Sequence, residues 1–291
     1  MKFLFFPGCT VLAKDPSFEA SFIQVCEILG IQIEREPNFH CCAPVVVSSV
    51  SYDTALALAA RNLCLAEERN LDIITLCNGC FKNLKKANKH LKEDEADRKK
   101  INEILKEIGK EFKGTIEVKH FVQVINEDKI REKIQANIKR PLTDMVFGTF
   151  YGCHLIRPHS VVEFDDPEIP RSIDEIVELL GAKTVEYEGK YVCCGGSLKG
   201  VDDKAADEIP RQKLISLKEL DVDGLVLACP MCYFTFDLGQ FDIQRKYKEQ
   251  YQIAPIHLTE LLGIAFGLNP KGLGLNLHRI KPKKIMAKIS E

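Results

Sequence analysis

Ten of the twelve cysteines fall into one pattern that the chain writes twice. The first copy is Cys9, the adjacent pair Cys41-Cys42, and Cys77-Asn78-Gly79-Cys80. The second is Cys153, the pair Cys193-Cys194, and Cys229-Pro230-Met231-Cys232. The first cysteines are 144 residues apart and each of the other four pairs 152, so one eight-residue insertion brings the copies into register. Thiolates bind soft metals, which means zinc, copper(I) or iron–sulfur clusters. A structural zinc site takes four ligands, as does an ordinary cubane cluster, so five thiols per copy leave one over. Adjacent side chains of an extended segment point apart. The Cys-Cys turns must therefore bend for both sulfurs to reach one centre, which suits a cluster of several irons better than one small ion.

The elements that must position these thiols also repeat. Phe3 to Phe6 reads as a buried strand ending at Pro7-Gly8-Cys9, and Met145 to Phe150 as one ending at Gly152-Cys153. Phe18, Phe22, Val25 and Leu29 form a helical stripe closed by Gly30, and Ile173, Ile176, Val177 and Leu180 form one closed by Gly181. Ile31 to Glu36 and Thr184 to Tyr187 alternate before the cysteine pairs. Helices over roughly 53–70 and 205–220 precede the strands Asp72 to Leu76 and Gly224 to Ala228, which deliver Cys77 and Cys229. Lys119-His120-Phe121 and Ile256-His257-Leu258 look like matching strand ends. The expected fold is α/β, two pseudo-symmetric halves with each cysteine set at strand carboxyl ends, where open α/β units gather their functional groups. Halves 1–143 and 144–291 follow, packed together because no Gly/Ser-rich linker separates them. The mixed-charge stretch Lys82 to Lys113 reads as a solvated helix or a partner-docking face, and the basic tail from Lys271 as a surface arm.

The length of 291 residues and 45% hydrophobic content support a real core. A net charge of -2 does not suggest a nucleic-acid binder. No run of 18 apolar residues implies a membrane span, and the apolar start is too short for a signal peptide. The expectation is a cytoplasmic protein whose cysteines serve metal binding or redox chemistry rather than structural disulfides.

A lone cysteine, a Cys-Cys pair and a Cys-x-x-Cys at these intervals make up the CCG motif. Two copies in a chain of this size resemble the B subunit of the heterodisulfide reductases of methanogens. One departure is visible: Cys193-Cys194 is followed by Gly195-Gly196, but Cys41-Cys42 by Ala43-Pro44. Alanine does not readily take positive φ, so the first loop is expected to turn differently. The resemblance implies two non-cubane [4Fe-4S] clusters, one held by Cys9, Cys41, Cys42, Cys77 and Cys80, the other by Cys153, Cys193, Cys194, Cys229 and Cys232. It implies reduction of the coenzyme M–coenzyme B heterodisulfide to two thiols. It also implies two partner subunits, one flavin-containing and one small and ferredoxin-like, with a hydrogenase or formate dehydrogenase attached.

Disulfide reduction takes two electrons and a cluster typically passes one, so each of two facing clusters would take one substrate sulfur and supply one electron. The anionic ends of the coenzymes need cations, for which His40, His154, Arg157, His159 and Lys199 flank the cysteine loops, with Lys14 placed like Arg157. His154 is also a candidate proton donor to a leaving thiolate. Cys26 and Cys64 lie on apolar helix faces and read as core packing, and His120 and His257 as structural. Two other readings stand beside this one. CCG subunits also serve thiol:fumarate, succinate, glycolate and lactate oxidoreductases, often with a fused ferredoxin-like Cys-x-x-Cys-x-x-Cys run that this chain lacks. A structural zinc scaffold would use four of five thiols per site.

Overall fold

The apolar run at the start forms β1 (Lys2–Phe6), followed by α1 (Gly8–Lys14) and α2 (Pro16–Leu29). Gly30 ends α2 in the left-handed region, its N–H donating to the carbonyls of Cys26 and Glu27. Then come β2 (Gln32–Arg35), α3 (Val45–Val50), α4 (Tyr52–Arg69), β3 (Ile73–Thr75), α5 (Asn78–Glu93), α6 (Glu95–Lys106), β4 (Val118–His120), α7 (Phe121–Ile125) and α8 (Asp128–Asn137). The second half holds β5 (Val146–Phe150), α9 (His159–Val162), α10 (Ser172–Leu179), β6 (Lys183–Val185), α11 (Asp203–Glu219), β7 (Gly224–Leu227), α12 (Pro230–Phe236), α13 (Leu238–Tyr247), β8 (Pro255–His257) and α14 (Leu258–Ala265), and α15 (Lys283–Ser290) follows. The structure is a computed structural model that describes residues 1–290.

Both sheets are parallel and share one order, β2-β1-β3-β4 and β6-β5-β7-β8. The central strands β1, β3, β5 and β7 are buried runs because helices cover both faces, while the edge strands β2 and β6 are half-buried or exposed. The order reverses between β1 and β3, and between β5 and β7. Ligand crevices of open α/β sheets form outside the carboxyl ends at such a point. The strands flanking it lead into Cys9 and Cys77 in one half and Cys153 and Cys229 in the other.

The halves share a core rather than a linker. Phe18 and Phe22 of α2 pack in one apolar cluster with Leu258, Leu261 and Leu262 of α14. Each such buried side chain contributes about 1.5–3 kcal/mol. Ser21 and Thr259 hydroxyls meet at 2.6 Å across this contact. His257 stacks between Phe18 and Tyr233 at 3.8 and 4.3 Å, with Nε2 3.0 Å from the buried Asp15 carboxylate. Burial works against charge on Asp15, but His257 outweighs it and holds the carboxyl below its ordinary range. His120 and His257 each cap the helix that follows, their backbone N–H groups donating to Gln123 and Glu260 at 2.9 and 2.8 Å.

Two regions depart from the sequence reading. The charged stretch is two helices, broken where Asp94 caps α6 by accepting from the Asp97 N–H, and it buries Leu84, Leu91, Ile101 and Leu105. The tail is no free arm: Leu273, Leu275, Ile280, Ile285 and Ile289 are buried, and His278 Nε2 meets Glu260 at 2.8 Å. Its apolar residues are too sparse to show a period until α15 brings Ile285 and Ile289 onto one face.

Candidate metal centre

Each thiol is delivered by a strand end or a helix start. Gly8 and Gly152, just before the first cysteine of each copy, both sit at φ +67. A Cβ at Gly8 would lie 2.8 Å from Cys80 Sγ, and one at Gly152 3.2 Å from Cys232 Sγ and 2.5 Å from Asn78 Nδ2. Glycine is required there both for the turn and for the approach of sulfur. Cys77 and Cys229 are the N-cap residues of α5 and α12, with Cys80 and Cys232 in the first turns. Of these four, Cys77 is drawn down by Cys229 and Cys80, while its thiol neighbours and burial push Cys80 and Cys232 up.

The two sets meet. Cys77 interacts with Cys229 across the boundary between halves, as well as with Cys80 in its own. Thiol contacts run from Cys41 through Cys42, Cys80 and Cys77 to Cys229, Cys232, Cys194, Cys193 and Cys153. Sulfur-to-sulfur hydrogen bonding splits their acidities along this line. The Cys80 thiol draws Cys42 down to about 7. Cys153 and Cys194 draw Cys193 down to about 2. Contact with Cys42 and burial push Cys80 up, and contact with Cys193 and burial push Cys153 up. Asn78, one residue past Cys77, locks the halves here by donating to the Tyr151 carbonyl at 2.7 Å.

The Cys-Cys loops turn alike, contrary to the expectation from sequence. Ala43 sits at φ 55 and Gly195 at φ 80, both left-handed. Several bonds hold Ala43 there. Asn83 donates to its carbonyl at 3.1 Å, and the buried Asn62 accepts from the His40 N–H at 3.1 Å and donates to the Cys41 carbonyl at 3.3 Å. The repeat extends to the sulfur's polar neighbour. Asn83 Nδ2 lies 3.8 Å from Cys42 Sγ, and Thr235 Oγ1, its counterpart 152 residues on, lies 3.8 Å from Cys194 Sγ. The halves differ in charge: the buried Lys213 faces Cys193, Cys194 and Cys232, while its counterpart Arg61 donates to the Asn38 carbonyl at 3.0 Å. Burial pulls the Lys213 ammonium's pKa down, and those thiols act against it.

The donor set fits an iron–sulfur centre. Thiolates this close repel unless a cation joins them. Four cysteines around one zinc at about 2.3 Å would stand roughly 3.8 Å apart. Among the described residues no three of these sulfurs lie within 4.8 Å of one another. No four of them are gathered as one tetrahedral ion would need, and five thiols per half in contact with one another are consistent with a larger iron–sulfur centre. Cys26 and Cys64 take no part: each is 1% exposed in the core, and burial pushes both thiols up, Cys64 to about 12.

Besides a small hollow of about 60 Å³ lined by Cys42, Tyr52, Lys82 and Lys86, two clefts open beside these sulfurs. One of about 440 Å³ borders Cys9, His40, Cys41 and Leu12 on the outside of the first set. The other, about 210 Å³, lies between the halves, with Cys153, His154, Cys193 and Cys194 on one wall and Asn78, Lys82 and Val45 on the other. Of the residues singled out as cations, His154 lines this inner cleft and His40 the outer one. Burial, then Lys82, pulls the His154 pKa down. Arg157 donates to the Tyr191 carbonyl at 2.5 Å and Lys199 pairs with Asp207 at 2.7 Å, each bracing a flank of the second Cys-Cys loop. Lys14 and His159 are exposed. Sequence reading passed over Lys82, which lay inside a charged run; its one signal was a counterpart, Phe234, of opposite character.

A family model described as "Cysteine-rich domain", named CCG, matches residues 3–85 and again 147–237. The chain belongs to the CCG family. This CCG protein is 38% identical over 293 residues to the B subunit of the ferredoxin/F(420)H(2)-dependent CoB-CoM heterodisulfide reductase of Methanosarcina acetivorans, covering 100% of this chain and 97% of the relative. It is 30% identical over 284 residues to the "8-methylmenaquinol:fumarate reductase membrane anchor subunit" of Wolinella succinogenes, covering 98% of this chain and 99% of the relative. A solved structure of a hypothetical protein from Helicobacter pylori superposes with a TM-score of 0.77 at 17% identity, covering 96% of this CCG protein and 52% of that chain. That likeness speaks to fold alone. No helix of this chain is long and apolar enough to cross a membrane.

Proposed function

We propose that this protein is the catalytic subunit that reduces the coenzyme M–coenzyme B heterodisulfide to its two thiols. The observation that carries this reading is the meeting of the two cysteine sets at Cys77 and Cys229, beside a cleft walled by both halves. One disulfide consumes two electrons and two protons and yields two thiols. When bound, two non-cubane [4Fe-4S] clusters would supply one electron each and an iron for each substrate sulfur. Cys9, Cys41, Cys42, Cys77 and Cys80 hold one centre; Cys153, Cys193, Cys194, Cys229 and Cys232 hold the other. Asn78 fixes the distance between them through Tyr151. His154 gives a proton to the thiolate leaving on its side, while His40 lines the outer cleft beside Cys9 and Cys41, apart from the inner one. Arg157 and Lys199 serve the site by holding the second loop. The partners are a flavin-containing subunit and a small ferredoxin-like one, with a hydrogenase or formate dehydrogenase as electron source.

The similarity to the Wolinella fumarate reductase protein supports a second reading, in which the same centres pass electrons between partners and bind no disulfide. Anaerobic assay of the loaded protein with a reduced viologen and the heterodisulfide separates the two. The first reading expects two thiols released per two electrons consumed. Loaded protein that oxidises no viologen with the disulfide would leave the second.

A further inference from the structure

The inner cleft belongs to the second cysteine set, yet its cation comes from the first half. Lys82 sits on α5 two residues past Cys80 and reaches the cleft that holds Cys153, Cys193 and Cys194. It is half-buried, and the anionic groups that act on its ammonium are the thiols Cys153 and Cys42, with no carboxylate among them. Further along the helix Lys89 pairs with Glu163, Lys92 with Glu117, and Lys86 lies over the Tyr52 ring, while Lys85 lines a separate outer hollow with Glu93 and Glu163. A partly desolvated ammonium attracts anions, and this cleft leaves it open to one that enters beside the sulfurs.

The repeat shows that the feature is not a by-product of the fold. An offset of 152 residues takes Lys82 to Phe234, Asn78 to Pro230 and Gly79 to Met231, and an offset of 144 takes Thr10 to His154. The helix start that the first half offers to the second centre is therefore polar and cationic. The one the second half offers to the first centre is apolar, with Met231 44% exposed and its sulfur 3.8 Å from Thr10 Oγ1.

We propose that Lys82 recognises the anionic group of one half of an unsymmetrical disulfide and so sets its orientation. The half with a sulfonate, phosphate or carboxylate close to its sulfur lies beside Lys82, and the half with an apolar chain beside its sulfur lies on the side of the same cleft where Met231 meets Thr10. The inference rests on the disulfide-reductase reading and adds the residue that tells the two substrate halves apart. The cleft of about 210 Å³ limits the anionic half to a short thiol.

The test uses the loaded complex and two probes of similar size, 2-mercaptoethanesulfonate and the uncharged 2-mercaptoethanol, titrated against the cluster spectrum. Wild type should bind the sulfonate more tightly. Lys82→Met should weaken the sulfonate by 10- to 100-fold with unchanged iron content and leave 2-mercaptoethanol within twofold. Lys82→Arg should restore most of the affinity. In turnover, Lys82→Met should raise KM for the disulfide more than it lowers kcat. Equal loss of both probes, or no loss of either, would overturn the role of Lys82 while leaving the reductase reading in place. If neither thiol perturbs the wild-type spectrum, both ideas fall together.

Discussion

The two halves carry the same five thiols in the same register but surround them differently. The first set is open on its outer side: Cys9 and Cys41 are exposed beside a cleft of about 440 Å³. The second is more enclosed, its counterparts Cys153 and Cys193 half-buried, and it faces two lysines, Lys213 from within its own half and Lys82, which also lies near Cys42, from across the boundary. The ten thiol positions are shared between the halves, and the charged residues that surround them are not. What the halves share therefore points to the cofactor, and what separates them points to substrate and electron flow.

The shared positions should fail alike and most severely. Gly8→Ala and Gly152→Ala each force a methyl against a cysteine sulfur in a left-handed turn. Backbone strain alone costs about 1–2 kcal/mol, and the lost sulfur position should cut bound iron by about half in either variant, read by iron analysis of anaerobic protein. Full iron in either variant would show that the glycine turn does not position its centre.

The unlike positions should separate the halves. A buried ammonium facing thiolates favours the more negative, reduced state. Lys213→Met should lower the midpoint potential of the second centre by roughly 60–120 mV, one to two powers of ten for one electron. Arg61→Met, which removes a charge already bonded to Asn38, should move the first by less. Equal shifts in a spectroscopic titration would erase the distinction.

The packed tail makes a smaller difference. Burial opposes charge on His278, but Glu260 outweighs it, with Asp237 and Asp15 adding, so the ring's pKa stands above its ordinary value. A raised folded-state pKa lends stability that is complete below the unfolded value of about 6.5 and is lost as pH rises through the folded value. Melting temperatures above pH 6.5 should therefore fall faster for wild type than for His278→Gln. Parallel curves would assign the tail's hold to its apolar contacts alone.

The smallest effect concerns Ala43. Relief of left-handed strain should make Ala43→Gly more stable by about 1 kcal/mol, seen as a raised melting temperature with unchanged iron. A loss of stability would mean that the methyl's packing matters more than the strain.

That residue also marks what sequence could tell. The cysteine register, the strand ends that deliver it and the helix stripes were legible, because each follows from spacing along a few neighbouring residues. The turn at Ala43 was not. Local propensity speaks against positive φ, and the bonds that overrule it come from Asn62 and Asn83, 19 and 40 residues away. Lys82 was hidden for a related reason, since nothing in a lysine-rich helix shows which lysine crosses to another half. The tail's burial rests on scattered leucines and isoleucines with no period to read.

The most direct test of two multi-iron centres is metal analysis of anaerobically purified protein: iron, acid-labile sulfide and zinc, with the visible spectrum. Two four-iron clusters predict about eight irons per chain and a brown protein. About two zincs and no colour would contradict the account and leave a structural scaffold in its place.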